Sequence, residues 1–186
     1  MIIGIFAVTT TSLTGSICYM FNHGCSTAAL VLVLGFLVKR RGSAQVDAFG
    51  GVQKTAPVLA GMFLFAGLAT MSLPGITHFI GEFMVLAGAW SRHPVYVAVA
   101  TLGMVLGAVY ILLTYKRTMT GPLTQATKAH VTTDLTGLEK AALTPLVILL
   151  LVFGFFPRPM LHVIEPVAHQ TMSIVGVTDP APAAEE

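Results

Sequence analysis

Charge is what this sequence has least of. Only 10% of its 186 residues are Asp, Glu, Lys or Arg, 55% are hydrophobic, and the mean hydropathy is +0.82. A soluble domain carries closer to a quarter charged residues, so this composition excludes an ordinary soluble fold and points to an integral membrane protein. Cysteine is scarce too: Cys18 and Cys25 stand seven apart, form no CxxC pair and read as small packing residues rather than metal ligands. Neither a cysteine cluster for an iron–sulfur centre, nor a glycine-rich phosphate loop, nor a nucleophile elbow is present, so any electrons must travel through other chains. The apolar start "MIIGIFAVTT" lacks the basic region and cleavage site of a signal peptide. Basic residues form no patch, which sets nucleic-acid binding aside.

Apolar runs fill the space that charge leaves. A helical span needs about 20 mostly apolar residues, and the stretches 13–38, 56–90, 95–115 and 141–156 supply four, with 1–10 reading as the end of a fifth. The expected fold is all-α: a polytopic membrane helix bundle with four full spans and one partial N-terminal span. Residues 1–165 form the transmembrane domain. Residues 166–186 form a tail on the outer side, amphipathic at first and then disordered through "DPAPAAEE". Orientation follows from the basic residues. Lys39, Arg40, Arg41, Lys54, Lys116, Arg117, Lys128 and Lys140 fall on one side, and only Arg92 and Arg158 on the other. Eight against two places the long loops in the cytoplasm and the C-terminus outside. The polar stretch 117–140 ends in Asp134 and Glu139, an acidic start for the last span.

The longest apolar run is interrupted by "LPGITHFIGEF", residues 73–83. Pro74 removes a backbone donor and biases Leu73 away from helix, and Gly75 permits a turn, so this span is expected to break at Leu73-Pro74-Gly75. Broken helices at membrane depth are tolerated where protein or a watery cavity satisfies the freed backbone, the situation found at transport sites. Glu82 follows the break and is the sole acidic residue within these apolar runs. A charge at the bilayer centre costs about 2.5–3.5 kcal/mol even on lenient scales, which makes Glu82 a candidate proton-transfer group. His23, in "FNHGCSTAALVL", lies at a similar depth in its own span, and imidazole titrates nearest neutral pH, so the two could share one polar layer. His78 stands four residues before Glu82 on the same helix face, where it either pairs with that carboxylate and tunes it or caps carbonyls freed by the break. Each residue also has a plainer reading, as a packing or structural polar group.

Five stretches in order carry a resemblance: "NHGCSTAALVLVLGFLVKRRGS", "FGGV", "LATMSLPGITHFIGEFMVL", "GAVYILLTYKRTMTG" and "DLTGLEKAALTPLVILLLVFGFFPRPML". Together they resemble the C-terminal third of the NuoM or chain 4 type of antiporter-like membrane subunit in proton-pumping NADH:quinone oxidoreductase (complex I). The glutamate of "GEF" is discriminating, because related subunits usually have lysine there. The resemblance implies that Glu82 is the terminal proton-transfer group on a broken helix, that His23 belongs to the central polar axis, and that Pro74 and Gly75 form the break. It implies structural roles for Gly50, Gly51 and Tyr110. His78 departs from the family pattern, which commonly has a small residue there.

The resemblance further implies that this chain binds no cofactor, and that NAD(H), quinone, FMN and iron–sulfur clusters belong to other subunits. Its expected partners are the other membrane subunits of complex I, the missing N-terminal part of the same subunit, the lipid bilayer and protons. The implied location is a bacterial cell membrane. The family's glutamate–lysine pumping pair would lie before Met1, so the sequence reads as a fragment or a truncation, unable alone to form a complete proton path. A subunit of a cation/proton antiporter or a membrane-bound hydrogenase is the alternative assignment, and a non-transporting remnant is a third.

Overall fold

The computed structural model describes residues 1–180, and these contain helices and no strand. The chain runs through α1 (Ile2–Phe6), α2 (Thr10–Arg41), α3 (Pro57–Thr70), α4 (Thr77–Trp90), α5 (Pro94–Met119), α6 (Gln125–His130), α7 (Gly137–Phe155) and α8 (Arg158–Val175). Helices α2, α5 and α7 are each long and apolar enough to cross a membrane. At 14 residues each, α3 and α4 are about 21 Å long, so neither alone reaches across a hydrocarbon core of about 30 Å, and only together do they have the length of a fourth span. Three of the four expected spans are thus single helices, and the run expected to break is divided into α3 and α4. Within residues 1–10, read as the end of a further span, helix covers only Ile2–Phe6. Val8 sits at φ 51° between α1 and α2, and Thr9 caps α2 through a reciprocal pair of bonds with Ser12.

The break has a construction that proline alone would not predict. Leu73 N–H donates to Leu68 C=O at 3.2 Å and Ser72 N–H to Ala69 C=O at 3.3 Å, with Ser72 at φ 60°. This is a Schellman closure of α3 with serine in the left-handed position, followed by Pro74 and by Gly75 at φ 92°. The loop then seats on α7. The Thr77 hydroxyl donates to Leu150 C=O, and a Cβ on Gly154 would come within 2.5 Å of Gly75 O.

One end of the bundle is tied by a part-buried ion pair. Arg40, at the end of α2, meets Glu139 of α7 with Nη2–Oε2 at 2.5 Å and Nη1–Oε1 at 3.0 Å, the two side chains being 9% and 13% exposed. The same guanidinium donates to the carbonyls of Thr133, Asp134 and Phe36. Asp134 in turn accepts from Val58 N–H and Leu59 N–H at 2.8 and 2.9 Å. It thereby caps α3, whose own cap residue Ala56 offers no side-chain bond. Sequence reading treated Arg40 as a topology signal and Asp134 as a helix-start residue; the fold uses both to lock α2, α3 and α7 together. Arg40→Ala leaves Glu139 and three carbonyls without their partner, and we expect a loss of about 2 kcal/mol, below the roughly 3–5 kcal/mol of a fully buried pair. The check is a lowered midpoint of thermal denaturation in detergent.

Nearby, Gly51 at φ 65° donates to Thr120 C=O at 3.1 Å, and a Cβ there would meet Leu123 backbone at 2.8 Å. Only glycine meets both conditions. At the opposite end, α8 lays Met160, Ile164, Ala168 and Met172, one residue per turn, onto the bundle. The chain beyond α8 is anchored through residue 179. Arg92 donates to Thr178 C=O, and Asp179 accepts from Thr10 N–H at 2.7 Å at the start of α2. The rest of the stretch expected to be disordered, 181–186, lies outside the described residues. The Thr10 hydrogen bond holds the Asp179 carboxyl below its ordinary value, so its contribution is complete above the unfolded value of about 3.9 and disappears as pH falls through the lowered one. Asp179→Asn removes the charge, and we expect faster carboxypeptidase trimming of the tail at neutral pH.

Candidate functional site

The site is built where α2 and α4 pack antiparallel at glycine distance. A Cβ on Gly88 would lie 2.5 Å from Ser12 N, one on Gly15 2.8 Å from Val85 N, and one on Gly81 2.9 Å from Tyr19 N. Asn22 Nδ2 donates to Thr77 C=O at 2.9 Å, continuing the same register. Small residues let the backbones approach, as membrane helices use them to do. With 19 facing 81 and 22 facing 77, the register sets Tyr19 and His23, one turn apart on α2, against His78 and Glu82, one turn apart on α4.

Three rings meet at this interface. His23 and His78 have centroids 5.7 Å apart at 89°, Tyr19 and His78 are 4.6 Å apart at 85°, and Tyr19 and His23 stack at 6.0 Å. His78 is fully buried, and among the described residues neither of its ring nitrogens has a hydrogen-bond partner. Among the described residues the His78 ring makes no hydrogen bond to Glu82 or to a carbonyl of the break; it packs against α2 instead. His23 is exposed on the isolated chain, its ring 3.4 Å from Thr27 Oγ1.

Glu82 is half-buried and makes no hydrogen bond or ion pair within the described residues. It lines a cavity of about 320 Å³ with Tyr19, Ser72, Thr70 and Tyr110, and a second of about 80 Å³, also walled by Tyr19. Five polar side chains in its lining make the larger space suited to water, whose share of liquid volume is about 30 Å³ per molecule. His23 and Glu82 do fall in one region, as their depth suggested, but they do not touch: Tyr19 stands between them.

Sequence reading missed Tyr19, Asn22 and Ser72 and took Tyr110 as structural. Tyr19 had a signal, its place one turn before His23 on the same face. Asn22 had another, a buried amide in an apolar span; its Nδ2 also lies 3.3 Å from Cys18 Sγ. Both cysteines are free thiols, Cys18 buried and Cys25 partly so. Among the described residues no three His, Cys, Asp or Glu side chains cluster as a metal site.

Residues 1–107 match the family model described as NADH:quinone oxidoreductase/Mrp antiporter, TM. The chain belongs to this family. NADH-quinone oxidoreductase subunit M of Mycobacterium tuberculosis (strain ATCC 25618 / H37Rv) is 48% identical over 183 residues, covering 98% of this chain and 33% of the relative. NADH-ubiquinone oxidoreductase chain 4 of Arabidopsis thaliana is 38% identical over 159 residues, covering 86% of this chain and 32% of the relative. The chain thus spans about a third of the length of the curated relatives it matches. Among solved structures, a chain of respiratory complex I from Thermus thermophilus with bound NADH superposes with a TM-score of 0.84 at 29% identity, over 94% of this chain and 36% of that one. A chain of the Mrp complex from Dietzia sp. DQ12-45-1b shares the fold at a TM-score of 0.78 and 18% identity, over 90% of this chain and 39% of that one. The five ordered motifs thus led to the right family, and this family member is a multi-pass membrane protein.

Proposed function

We propose that the chain is the C-terminal part of an antiporter-like membrane subunit of respiratory NADH:quinone oxidoreductase, and that it supplies the outer half of a proton path driven by NADH oxidation and quinone reduction elsewhere in the complex. The carrying observation is Glu82: it is the one carboxylate in the apolar runs, it follows a helix break, and it opens onto a polar cavity. His23 passes a proton toward Glu82, Glu82 releases it on the outer side, and His78 tunes the pair. NAD(H), quinone, FMN and iron–sulfur clusters are held by other subunits, and this chain binds none of them. Its partners are the remaining membrane subunits, the preceding part of its own subunit and the lipid bilayer. The membrane is the bacterial cell membrane with the C-terminus outside, an orientation supported by the eight-to-two division of basic residues.

Peptide mass spectrometry on the native-gel band that oxidises NADH in source membranes tests the assignment. Peptides of this chain in that band, alone or joined to preceding sequence, are the expected result, and their absence overturns it. A second reading, a subunit of a cation/proton antiporter, is favoured by the shared fold with the Mrp complex chain, and it predicts the chain in a band without NADH activity.

A further inference from the structure

His23 and Glu82 are separated, and what fills the separation is chemically specific. The His78 ring is completely enclosed between α2 and α4 with both nitrogens unpartnered, although a buried polar group without a partner ordinarily costs stability. Packing alone would be served better by an apolar side chain of similar volume. The ring instead faces two other groups able to carry a proton, His23 and Tyr19. Tyr19 belongs both to this ring triangle and to the walls of both cavities that hold Glu82. The groups around His78 that can exchange a proton are Tyr19 and His23 on α2 and Glu82 on its own helix. α7 approaches this end of α4 with Leu149, Leu150 and Gly154, which carry no titratable group.

Resting on the proposed proton path, we infer that His78 and Tyr19 are themselves proton-carrying residues, so that the route runs from His23 to His78, through the Tyr19 hydroxyl, to Glu82. A proton held as imidazolium on His23 moves to a free nitrogen of His78. After a ring and hydroxyl rotation, or through an intervening water, since His78, Tyr19 and Glu82 are not hydrogen-bonded to one another as they stand, it binds the Tyr19 oxygen as that hydroxyl gives its own proton to the Glu82 carboxylate. The first step breaks one N–H bond and forms another, the second breaks an N–H and an O–H bond and forms two O–H bonds, Tyr19 ends uncharged as it began, and no oxidant or reductant takes part. His78 is more than a tuner of Glu82 in this scheme. It is the station that bridges two helices, and the buried nitrogens that cost stability are the ones the proton uses.

The test uses the assembled enzyme in proteoliposomes, comparing unmodified protein with Tyr19→Phe, His78→Asn and Glu82→Gln. The readouts are protons translocated per NADH, the pH profile of translocation, and NADH oxidation by a soluble acceptor as a measure of intact assembly. Tyr19→Phe keeps the ring and its packing but removes the hydroxyl; translocation is expected to fall roughly tenfold, less than the 10²–10⁴ of an irreplaceable proton-transfer group, because water substitutes in part. His78→Asn is expected to fall similarly and to move the pH of half-maximal translocation by about one unit, which a packing defect would not do. Normal translocation in Tyr19→Phe beside a defective Glu82→Gln overturns the inference and leaves the proposed function standing. Normal translocation in all three overturns both. Should His78→Asn fail to assemble, Tyr19→Phe alone decides.

Discussion

Glu82→Gln in the assembled enzyme is expected to lower proton translocation by about a hundredfold, the scale contributed by a positioned proton-transfer group, while NADH oxidation by a soluble acceptor stays unchanged. The size follows from the surroundings. Glutamine keeps the shape and hydrogen-bonding capacity of the side chain, so the cavity with Tyr19, Ser72 and Tyr110 should hold its form, but an amide cannot take up and release a proton at neutral pH. Membrane energetics supports a functional reading over a structural one. A structural carboxylate at this depth would be expected to have a partner that offsets its desolvation, and Glu82 has no hydrogen bond or ion pair within the described chain. Asp134 and Glu139 show what structural carboxylates look like in this fold: one caps α3 and the other grips Arg40. Undiminished translocation in Glu82→Gln would reduce the chain to a packing element of its complex.

Gly81→Val is the second large effect, and it acts on geometry rather than on protons. Gly81 stands at the crossing of α2 and α4, one residue before Glu82, and a Cβ there would meet Tyr19 N at 2.9 Å and Gly15 O at 3.1 Å. Both atoms are backbone, so no rotamer change relieves the contact, and the helices must part. Overpacking typically costs 1–3 kcal/mol, and the branched valine is expected at or above the upper end, about 3 kcal/mol. Parting the helices also pulls Tyr19 and His23 away from His78 and Glu82. The expected result is a lower yield of assembled enzyme and, in whatever assembles, lost translocation with the redox activity kept. Gly61→Val is the control, because a Cβ at Gly61 meets nothing within 4 Å. Equal behaviour of the two variants would show that close approach at Gly81 is not what holds the site.

Much was legible in the sequence, because the bilayer imposes strong demands on composition. Three of the four apolar runs became single helices long enough to cross and the other became α3 and α4, the lone carboxylate stood out against them, and Pro74 with Gly75 announced the break. Fine structure at the break was less legible: Ser72 in a left-handed conformation carries no warning, since serine adopts it only when the flanking Schellman bonds hold it there. The roles of Arg40 and Asp134 were hidden for a related reason. Both bond across more than 70 residues of sequence, to groups that no local pattern pairs with them.

The sequence by itself determined the membrane class, the apolar runs that supply its spans, the break, and the identity of Glu82 and His23 as the ionisable groups that need explaining. It could not say which residues face which. A span that is apolar nearly all round has no polar stripe to mark its buried face, so periodicity leaves the rotation of each helix open. Only the tertiary structure decided that, through the glycine contacts that bring α2 against α4 and set 19 opposite 81. That one register turns His78 from a neighbour of Glu82 into a partner of His23, and makes Tyr19 the side chain that joins the ring triangle to the carboxylate's cavity.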